Sequence, residues 1–544
     1  MVWRIDGPQG RESHKIRHKI VPYTRGRGLD LGPGPWKAWP HFISIDNFDE
    51  WYDGSWRPDI IGDVTDLAIF RDNSLDFVFS SHVLEHLDDT AGALSEWWRV
   101  IKPGGHLVLY LPHKDFYPNI GQEGANPDHK WDFEPQDIVD HMREVGRAWD
   151  LMENEDRNER DEYSFFQVYR KENGTGHKFS HVGRALEKRK RLAVIRYGAI
   201  GDHLQITTVL PKLYDQGWHI TYVTTPMGKR VVEHNPFVDE FWVQEVNQVP
   251  NEALKEYWVG LGYEFDKVIN LSETIEGTLL AQPDRRVHAL PRKARHRLMN
   301  VNYFDFLQDV AEVEGPPVVQ FFPYPNELTR AQKFKARYGD RPVILWALAG
   351  SSIHKLWPWP QEVVVWLLEQ TDATVIFAGG RDEQILEFAI CQQILRTFDG
   401  VSYEDSNEMK LAEMLAQIDK RFPDRLMCCS GAWSVRESLT FSQIADIVVG
   451  PETGLLNAVG FNPQVAKVIM LSHSSHENLT RDWYNTTVLT PNDIPCYPCH
   501  RMHYSRQFCP DDKETGAAIC AASITPKEVY DAIVERLESR KVAA

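Results

Sequence analysis

The feature that most constrains the fold of this chain is a short apolar strand that runs directly into a glycine turn, and it occurs twice. The first copy, LDLGPG, lies at residues 29–34, and the second, LAVIRYGAIGD, lies at residues 192–202. Such a strand and turn let a ligand approach bare backbone at the carboxyl edge of a parallel sheet. Each copy begins its own alternation of predicted strands and helices, so we expect two α/β segments with a ligand site in each.

The spacing of apolar runs predicts three α/β blocks. In the first block, residues 1–171, a helix is expected at 90–101, and strands alternating with helices indicate a parallel, doubly wound sheet. The strands predicted for this block are 28–31, 42–46, 59–62, 75–80 and 106–111. A polar, basic, glycine-bearing segment at 172–190 is the predicted linker. Residues 191–325 and 326–544 then form two halves of similar size and pattern, as expected of twin sheets that face one cleft.

Composition narrows the class of protein. A chain of 544 residues corresponds to about three domains of ~150 residues each. The net charge of −18 disfavours a general nucleic-acid-coating role, although basic stretches at 15–19 and 188–191 permit a local basic groove. No stretch approaches the ~20 apolar residues of a membrane span, and the N-terminus has no signal-peptide pattern. We therefore expect a cytoplasmic enzyme whose seven cysteines are reduced or bound to metal.

Carboxylates follow successive strands of the first block. Asp46 ends the second predicted strand, where a carboxylate can accept both hydroxyls of a ribose. Asp63 follows the next strand, within reach of an adenine amino group. The glycine turn alone is equally consistent with a tight connection between a strand and a helix.

Four segments of this block, in order and spacing, resemble the class I S-adenosylmethionine-dependent methyltransferases. They are DLGPG at 30–34, the acid at the end of the second strand, NSLDFVFSSHVLEHL at 73–87 and RVIKPGGHLVL at 99–109. The resemblance implies a Rossmann-like domain that binds S-adenosyl-L-methionine. The residues it assigns to the cofactor are Asp30, Gly32, Gly34, Asp46, Asp63, Val64 and Ser80.

Other residues of this block bear on the acceptor. Pro35 and Trp36 stand where the family turn has its third glycine, which predicts a narrower methionine pocket. His82 and His86 are candidate bases, with a structural role favoured for His86. Three residues lie where acceptor loops are expected, namely His113, His129 and Trp131.

The second glycine turn places an acid at the start of a helix. Asp202 can cap that helix or act as general base on an acceptor hydroxyl. Downstream, a glycine–serine loop carries Ser351, Ser352 and Lys355, which suits a diphosphate. A further strand ends in a polar turn at 451–454 that opens another helix, whose N–H groups favour phosphate oxygens.

These pieces resemble glycosyltransferase family 9, the ADP-heptose lipopolysaccharide heptosyltransferases and their relatives. The segments are VIRYGAIGDHLQITTVLPKL, GSSIHKLWPWPQEVVVWL, FAGGRDE, SLTFSQIADIVVGPETGLLNAVG and a closing CYPC. The resemblance implies a GT-B fold of two Rossmann-like halves, with the acceptor on 191–325 and the nucleotide sugar on 326–544. It implies inverting, metal-independent transfer with Asp202 as base. The donor-binding residues implied are Ser351, Ser352, Lys355, Glu452, Thr453, Gly454 and Asn457.

Two positions depart from the family pattern. Glu452 stands where the family usually has Asp, and Asn457 replaces a histidine that is common there. Both are implied to touch the donor, so the donor need not be ADP-heptose.

Four of the seven cysteines fall after residue 495. Cys496 and Cys499 form a C-x2-C pair, and Cys509 and Cys520 follow. This spacing is compatible with a structural zinc site, with a disulfide-capable loop, or with four ordinary cysteines.

Three functions are consistent with the sequence. The first is a bifunctional transferase that moves a sugar from an activated nucleotide to a glycan-type hydroxyl and methylates a sugar or related group. In the second, the first block is a non-catalytic recognition module for the glycosyltransferase. In the third, the glycosyl acceptor is a modified nucleic-acid base, which the net acidity makes less favourable.

Overall fold

The computed structural model describes residues 11–47, 57–145, 147–180, 189–283, 285–503 and 509–543. The chain divides into two compact units. Unit 1 comprises Met1–Ala193 and Trp242–Val268, and unit 2 comprises Val194–Phe241 and Ile269–Ala544. The predicted boundaries at 171, 190 and 325 stay predictions, and residues 181–188 of the predicted linker lie outside the described residues.

Helices alternate with the strands along most of the chain. They are α1 (Glu12–Ile16), α2 (Thr90–Val100), α3 (Pro135–Glu144), α4 (Ile200–Gln205), α5 (Leu210–Asp215), α6 (Pro226–Val232), α7 (Leu254–Leu261), α8 (Thr274–Thr278), α9 (Arg292–Met299), α10 (Tyr303–Ala311), α11 (Pro325–Lys335), α12 (Pro360–Gln370), α13 (Gln384–Asp399), α14 (Tyr403–Glu408), α15 (Leu411–Arg421), α16 (Val435–Ser442), α17 (Gly454–Val459), α18 (His476–Leu479), α19 (Ile519–Ala522) and α20 (Pro526–Ala543). Within the described ranges, none of these helices has the length and apolar character needed to cross a bilayer.

Unit 1 is built on an eight-stranded sheet. Its strands are β1 (Gly28–Leu31), β2 (Ile43–Asp46), β3 (Ile60–Ile61), β4 (Leu75–Ser81), β5 (Ile101–Pro112), β6 (Trp149–Arg157), β7 (Ser164–Lys171) and β8 (His177–Lys178). The strand order is β3-β2-β1-β4-β5-β7-β6-β8. The apolar residues of β1 and β4 are buried in a core that also holds Trp97 and Trp98 of α2.

The sheet of unit 1 is not wholly parallel, in contrast to the simplest prediction from its alternating pattern. The strands from β3 to β5 are parallel neighbours, but β7 pairs antiparallel with both β5 and β6. The connection between β6 and β7 spans only residues 158–163, which is too short for the crossover that a parallel pair needs.

Two further sheets follow. The first has β9 (Arg191–Ile195), β10 (His219–Thr224), β11 (Glu240–Val243) and β12 (Lys267–Asn270), in the order β11-β10-β9-β12. The second, in unit 2, has β13 (Val343–Trp346), β14 (Thr374–Phe377), β15 (Leu426–Cys428), β16 (Ile447–Pro451), β17 (Ala466–Met470) and β18 (Thr486–Leu489).

The six-stranded sheet is parallel throughout, in the order β15-β14-β13-β16-β17-β18. Its central strands β13, β14 and β16 are mostly apolar and fully buried, because helices such as α12, α13 and α20 cover the sheet and share one core with it. The predicted fold class, α/β with parallel sheets, is confirmed. The strand order places the carboxyl ends of β13 and β16 side by side. Ligands bind at the carboxyl ends of the strands in such sheets.

Candidate functional sites

The glycine turn of unit 1 requires glycine on steric grounds. Gly32 and Gly34 both have positive φ, +62° and +55°. A Cβ added to Gly32 would lie 2.7 Å from Cγ2 of Val83, a residue that follows β4. The turn therefore holds bare backbone against the segment after β4 at the carboxyl edge of the sheet.

Asp46 fastens this turn to the neighbouring strand. It is buried at the end of β2, and its Oδ2 accepts a hydrogen bond of 3.0 Å from the backbone N–H of Gly34. The backbone N–H of Gly32 donates to the carbonyl of Ile45 at 2.8 Å. Asp46 thus holds the end of β2 against the glycine turn, and its assignment to a ribose stays a prediction.

Two buried polar atoms next to the turn make no hydrogen bond within the described chain. They are Oδ1 of Asp30 and Oγ of Ser80, and they lie on adjacent strands, since Asp30 pairs with Phe79 in the register of β1 and β4. Oδ2 of Asp30 accepts from the N–H of Ala38 at 2.8 Å. Burial raises the pKa of Asp30 to about 7. Orphaned polar atoms at a strand edge indicate that a polar ligand or water completes the site.

Asp63 and Val64 have mainly local partners. Oδ1 of Asp63, which is exposed, accepts from the backbone N–H and the hydroxyl of Thr65 at 2.8 and 2.7 Å. The carbonyl of buried Val64 accepts from the indole N–H of Trp97 at 2.8 Å. Their assignment to adenine stays a prediction.

The residues predicted for acceptor loops do come together. His113, His129 and Trp131 line one shallow, solvent-open pocket together with Tyr117 and Lys114. His113 stacks on Phe116, with ring centroids 4.3 Å apart. The pocket is therefore walled by aromatic and imidazole rings, which suits a flat or ring-shaped acceptor.

The glycine turn of unit 2 is equally constrained. Gly198 has a φ of +146°, and a Cβ there would lie 2.5 Å from Oδ2 of Asp202. Asp202 is the third residue of α4, and its Oδ2 accepts from the N–H of Ala199 at 2.7 Å. Asp202 therefore caps the start of α4, which is one of its two predicted roles. Its side chain is 26% exposed, so it is also accessible from solvent.

A buried arginine links Asp202 to a second carboxylate. Nη2 of Arg196 lies 3.0 Å from Oδ1 of Asp202 and 2.7 Å from Oε1 of Glu276. Burial and the charge of Asp202 raise the pKa of Glu276, while Arg196 opposes that rise. Sequence reasoning did not assign a role to either partner. Arg196 lies in the quoted motif, but Glu276 has no local signal because its pairing spans 80 residues.

The polar turn after β16 packs directly on the start of α4. A Cβ on Gly454 would meet Cγ2 of Ile200 at 2.5 Å and the backbone nitrogen of Gly201 at 3.4 Å. Asn457 is buried, and its Oδ1 accepts from Nε2 of Gln205 at 3.2 Å. The structure thus brings the turn at 453–454 and the helix of Asp202 together.

Lys355 is held beside Glu452. Nζ of Lys355 lies 3.9 Å from Oε2 of Glu452, and the same oxygen lies 2.8 Å from Nδ1 of His473. Burial alone would raise the pKa of Glu452, but His473 and Lys355 together lower it. Burial also lowers the pKa of His473 despite its carboxylate partner. Lys355 is therefore a buried cation whose nearest carboxylate is shared with a neutral imidazole.

The remaining donor-site predictions differ in environment. Ser351 is exposed, whereas Ser352 is buried with its hydroxyl 3.0 Å from Nε2 of His354. Oγ1 of Thr453 is buried and makes no hydrogen bond within the described chain. A buried hydroxyl without a partner indicates that a polar group of a ligand, or a water molecule, forms a hydrogen bond with this turn.

The four C-terminal cysteines are free thiols. Cys509 and Cys520 form a side-chain hydrogen bond, and burial raises the pKa of Cys499 to about 11. In the described part of the chain, no three of these sulfurs lie close enough to share one ion. Zinc at this cluster stays a prediction.

Comparisons with known proteins identify similarities in both halves of the chain. A family model described as a methyltransferase domain matches residues 46–109. Demethylmenaquinone methyltransferase from Streptomyces avermitilis is 33% identical over 101 residues, which are 17% of this chain and 43% of that protein. The chain thus spans less than half the length of this curated relative. The family match confirms the methyltransferase resemblance, so unit 1 contains a transferase domain.

Similar solved structures include two glycosyltransferases. One is the Escherichia coli ADP-heptose lipopolysaccharide heptosyltransferase II, with 12% identity and a TM-score of 0.43, covering 64% of this chain and 99% of that one. The other is a glycosyltransferase family 9 protein from Veillonella parvula, with 15% identity and a TM-score of 0.43, covering 64% and 98%. A methyltransferase from Archaeoglobus fulgidus has 20% identity and a TM-score of 0.23, covering 29% and 92%.

Proposed function

We propose that this chain is a bifunctional transferase that acts in the cytoplasm. Unit 2 transfers a sugar from a nucleotide-activated donor to an acceptor hydroxyl with inversion. Unit 1 transfers a methyl group from S-adenosyl-L-methionine to a sugar or related group. The seven free cysteines accord with a reducing compartment.

The observation that supports glycosyl transfer is the contact between two helix starts in unit 2. The N-terminus of α4 carries Asp202, and the turn at Thr453 and Gly454 packs against it. A base and an anion-binding turn are therefore adjacent, as direct displacement at an anomeric carbon requires. Asp202 takes the proton of the acceptor hydroxyl while the new carbon–oxygen bond forms and the bond to the diphosphate breaks.

Arg196 determines the net charge around Asp202 and the orientation of its carboxylate. Because one guanidinium serves both Asp202 and Glu276, the group as a whole keeps one negative charge. Asp202 is the more exposed of the two carboxylates, so it is the one that an acceptor reaches. Arg196 also fixes its orientation through a charge-assisted hydrogen bond.

Lys355 stabilises the departing diphosphate in this proposal. It is buried, and Glu452, its nearest carboxylate, is 3.9 Å away and already bound to His473. A cation held so loosely can turn to a phosphate without leaving a buried carboxylate unpaired. Electrostatic stabilisation of a leaving group by such a side chain needs no metal ion.

Replacing Asp202 tests the glycosyltransferase proposal. Asp202→Asn keeps an acceptor oxygen for the N–H of Ala199 but turns an amide N–H₂ towards Arg196 and removes the base. Sugar transfer should therefore fall by about 10²–10⁴-fold while donor binding stays within about twofold. Asp215→Asn changes an exposed carboxylate at the end of α5 and serves as the matched control. A panel of nucleotide sugars identifies the donor by thermal stabilisation. Undiminished turnover in Asp202→Asn would refute the assignment of the base.

For the methyltransferase half, the residues present fit S-adenosyl-L-methionine. Gly32 and Gly34 provide bare backbone, Asp46 lies at the end of β2 for the ribose, and the orphaned Asp30 and Ser80 atoms supply unpaired polar partners. When bound, this cofactor supplies a methyl group on a positively charged sulfonium. The chain's own residues bind it, align the acceptor and exclude water.

Calorimetry of the whole chain with S-adenosyl-L-methionine tests this half. Asp46→Asn should weaken binding about tenfold, the loss of about one charge-assisted hydrogen bond. Asp140→Asn, an exposed carboxylate on α3, should leave binding unchanged. If the wild-type chain binds no cofactor at millimolar concentration, the domain is a recognition module instead.

We further propose that Cys496, Cys499, Cys509 and Cys520 bind zinc after their thiols rearrange. The support is the C-x2-C spacing and the thiol contact between Cys509 and Cys520. Elemental analysis of the purified chain should find zinc that Cys499→Ser loses. An equal zinc content per chain in the wild type and in Cys499→Ser contradicts the site.

A further inference from the structure

A buried carboxyl group without a hydrogen-bond partner lies in the segment that follows β4 in unit 1. Glu85 is fully buried, and neither of its oxygens makes a hydrogen bond to a side chain or backbone group of the described chain. Three imidazole nitrogens surround its Oε1: Nδ1 of His82 at 3.8 Å, Nε2 of His86 at 3.8 Å and Nε2 of His129 at 3.9 Å.

The hydrogen bonding of His86 fixes which atom faces Glu85. Nδ1 of His86 lies 3.1 Å from the carbonyl oxygen of Asp128. A carbonyl oxygen only accepts, so Nδ1 carries the proton, and in a neutral ring Nε2 presents its lone pair to the carboxylate.

A proton shared between Glu85 and one of these imidazoles would not form a hydrogen bond in this geometry. Distances of 3.8 to 3.9 Å between the carboxylate oxygen and the ring nitrogens exceed those of a hydrogen bond. Lone pairs of His86 and a buried carboxylate that converge without a donor between them are unfavourable. A cation among them would satisfy all of these acceptors at once.

Three of these side chains lie within reach of a single ion. The candidate ligand atoms of Glu85, His86 and His129 are all within 4.8 Å of one another, the one group of this kind among the described residues. Ligands of a tetrahedral ion with bonds of about 2.0–2.1 Å are separated by about 3.3 Å. Each side chain therefore needs to move by about half an ångström, which rotamer adjustment allows.

We propose that Glu85, His86 and His129 bind a divalent transition-metal ion. Two imidazoles and one carboxylate form a donor set that suits Zn²⁺, Mn²⁺ or Fe²⁺. The carbonyl of Asp128 orients His86 in the way that outer partners commonly orient metal-binding histidines. His82 lies outside this group of three. Its Nε2 lies 2.8 Å from the hydroxyl of Ser164.

The position of this site indicates what the ion does. Val83, between His82 and Glu85, is the residue that Gly32 of the cofactor turn approaches. His129 also lines the aromatic pocket with Tyr117 and Trp131. The ion therefore lies between the cofactor turn and the acceptor pocket.

Three protein ligands leave coordination positions open for an acceptor oxygen. The ion lowers the pKa of that hydroxyl, whose proton passes to water. The oxygen–methyl bond then forms as the sulfur–methyl bond breaks, and its electron pair returns to sulfur. This step rests on the proposed methyltransferase function, whereas metal binding does not.

The test uses the whole chain freed of metal by a chelator and titrated with ZnCl₂ and MnCl₂ by calorimetry. We expect Glu85→Gln and His129→Gln each to weaken binding of one ion by at least about 100-fold. His141→Gln on α3 is the matched histidine control and should change nothing. Cys499→Ser removes only an ion held by the cysteine cluster, so the two sites are separable.

A second measurement guards against loss of fold. S-adenosyl-L-methionine binding should persist in both variants, and added metal should raise the unfolding temperature of the wild type but not of Glu85→Gln. Equal metal affinity in wild type and both variants overturns the site. Metal binding without any cofactor binding leaves the site standing and refutes the methyltransferase proposal.

Discussion

The buried carboxylate of Asp30 predicts that removing a charge stabilises the cofactor site at neutral pH. Burial raises the pKa of Asp30 from 3.8 to about 7. A carboxyl whose pKa is higher in the folded state holds its proton more tightly there, so stability falls as pH rises from about 4 to about 7. Three pKa units correspond to about 4 kcal/mol, which is fully lost above pH 7.

Asp30→Asn removes this penalty but introduces a buried amide N–H₂ group that has no hydrogen-bond acceptor. The new side chain still accepts from Ala38, but its N–H₂ group takes the place of an atom that has no partner. An unsatisfied donor costs about 1–3 kcal/mol. At pH 7.5 the variant should therefore be about 1–3 kcal/mol more stable than wild type. At pH 4.5 that advantage should shrink by about 3 kcal/mol and the sign should reverse.

Hydrogen exchange of the amides of Gly28–Leu31 in the full chain measures this locally. Comparing wild type and variant at one pH cancels the intrinsic exchange rates. Asp140→Asn, which is exposed, should show no difference between pH 4.5 and 7.5. If the stability difference for Asp30→Asn is the same at both values, the pKa of Asp30 is not raised and the reasoning fails.

Two further substitutions test other charges. Lys355→Ala should weaken binding of a nucleoside diphosphate about 10–100-fold by calorimetry, since it removes a buried cation from a phosphate site; unchanged affinity would count against the donor role. Glu264→Gln should destabilise unit 1 by about 3–5 kcal/mol, because buried Lys19 and Arg157 lose a shared partner. Those cations outweigh the effect of burial and lower the pKa of Glu264, so its contribution is present above about pH 4.5 and is lost on acidification. An unfolding midpoint in urea that does not move at pH 7 would contradict it.

Local patterns in the sequence are sufficient to place the first five strands of unit 1 and the helix α2. The predicted strand at 28–31 matches β1, and the predicted helix at 90–101 matches α2, which begins after Asp89 caps the N–H of Gly92. Such boundaries are set by apolar runs with glycine or a capping side chain at their ends, and these are visible in sequence. The antiparallel β7 was not predicted, because strand direction depends on the length of a connection and on the sheet it joins.

Residues that act through distant partners could not be predicted in the same way. The role of Arg196 depends on Glu276, 80 positions away, and the surroundings of Glu85 depend on His129. His86 was predicted to be structural because its motif fits a strand end and helix start. Nothing in that motif indicates that the carboxylate beside it is buried without a partner. Burial is a property of packing, so only the structure distinguishes this glutamate from an exposed one.

The two candidate sites differ in how their carboxylates are compensated, and this difference predicts the charge of their ligands. In unit 1, Asp30 and Glu85 are buried without a cation, and burial raises both pKa values. In unit 2, Asp202 is paired with Arg196, and Glu452 lies beside His473 and Lys355. Buried carboxyl groups without a cationic partner gain free energy from a cationic ligand, as a sulfonium or a divalent ion would be, whereas in unit 2 the ammonium of Lys355 is available to an anionic diphosphate. These differences in charge support the two functions proposed above.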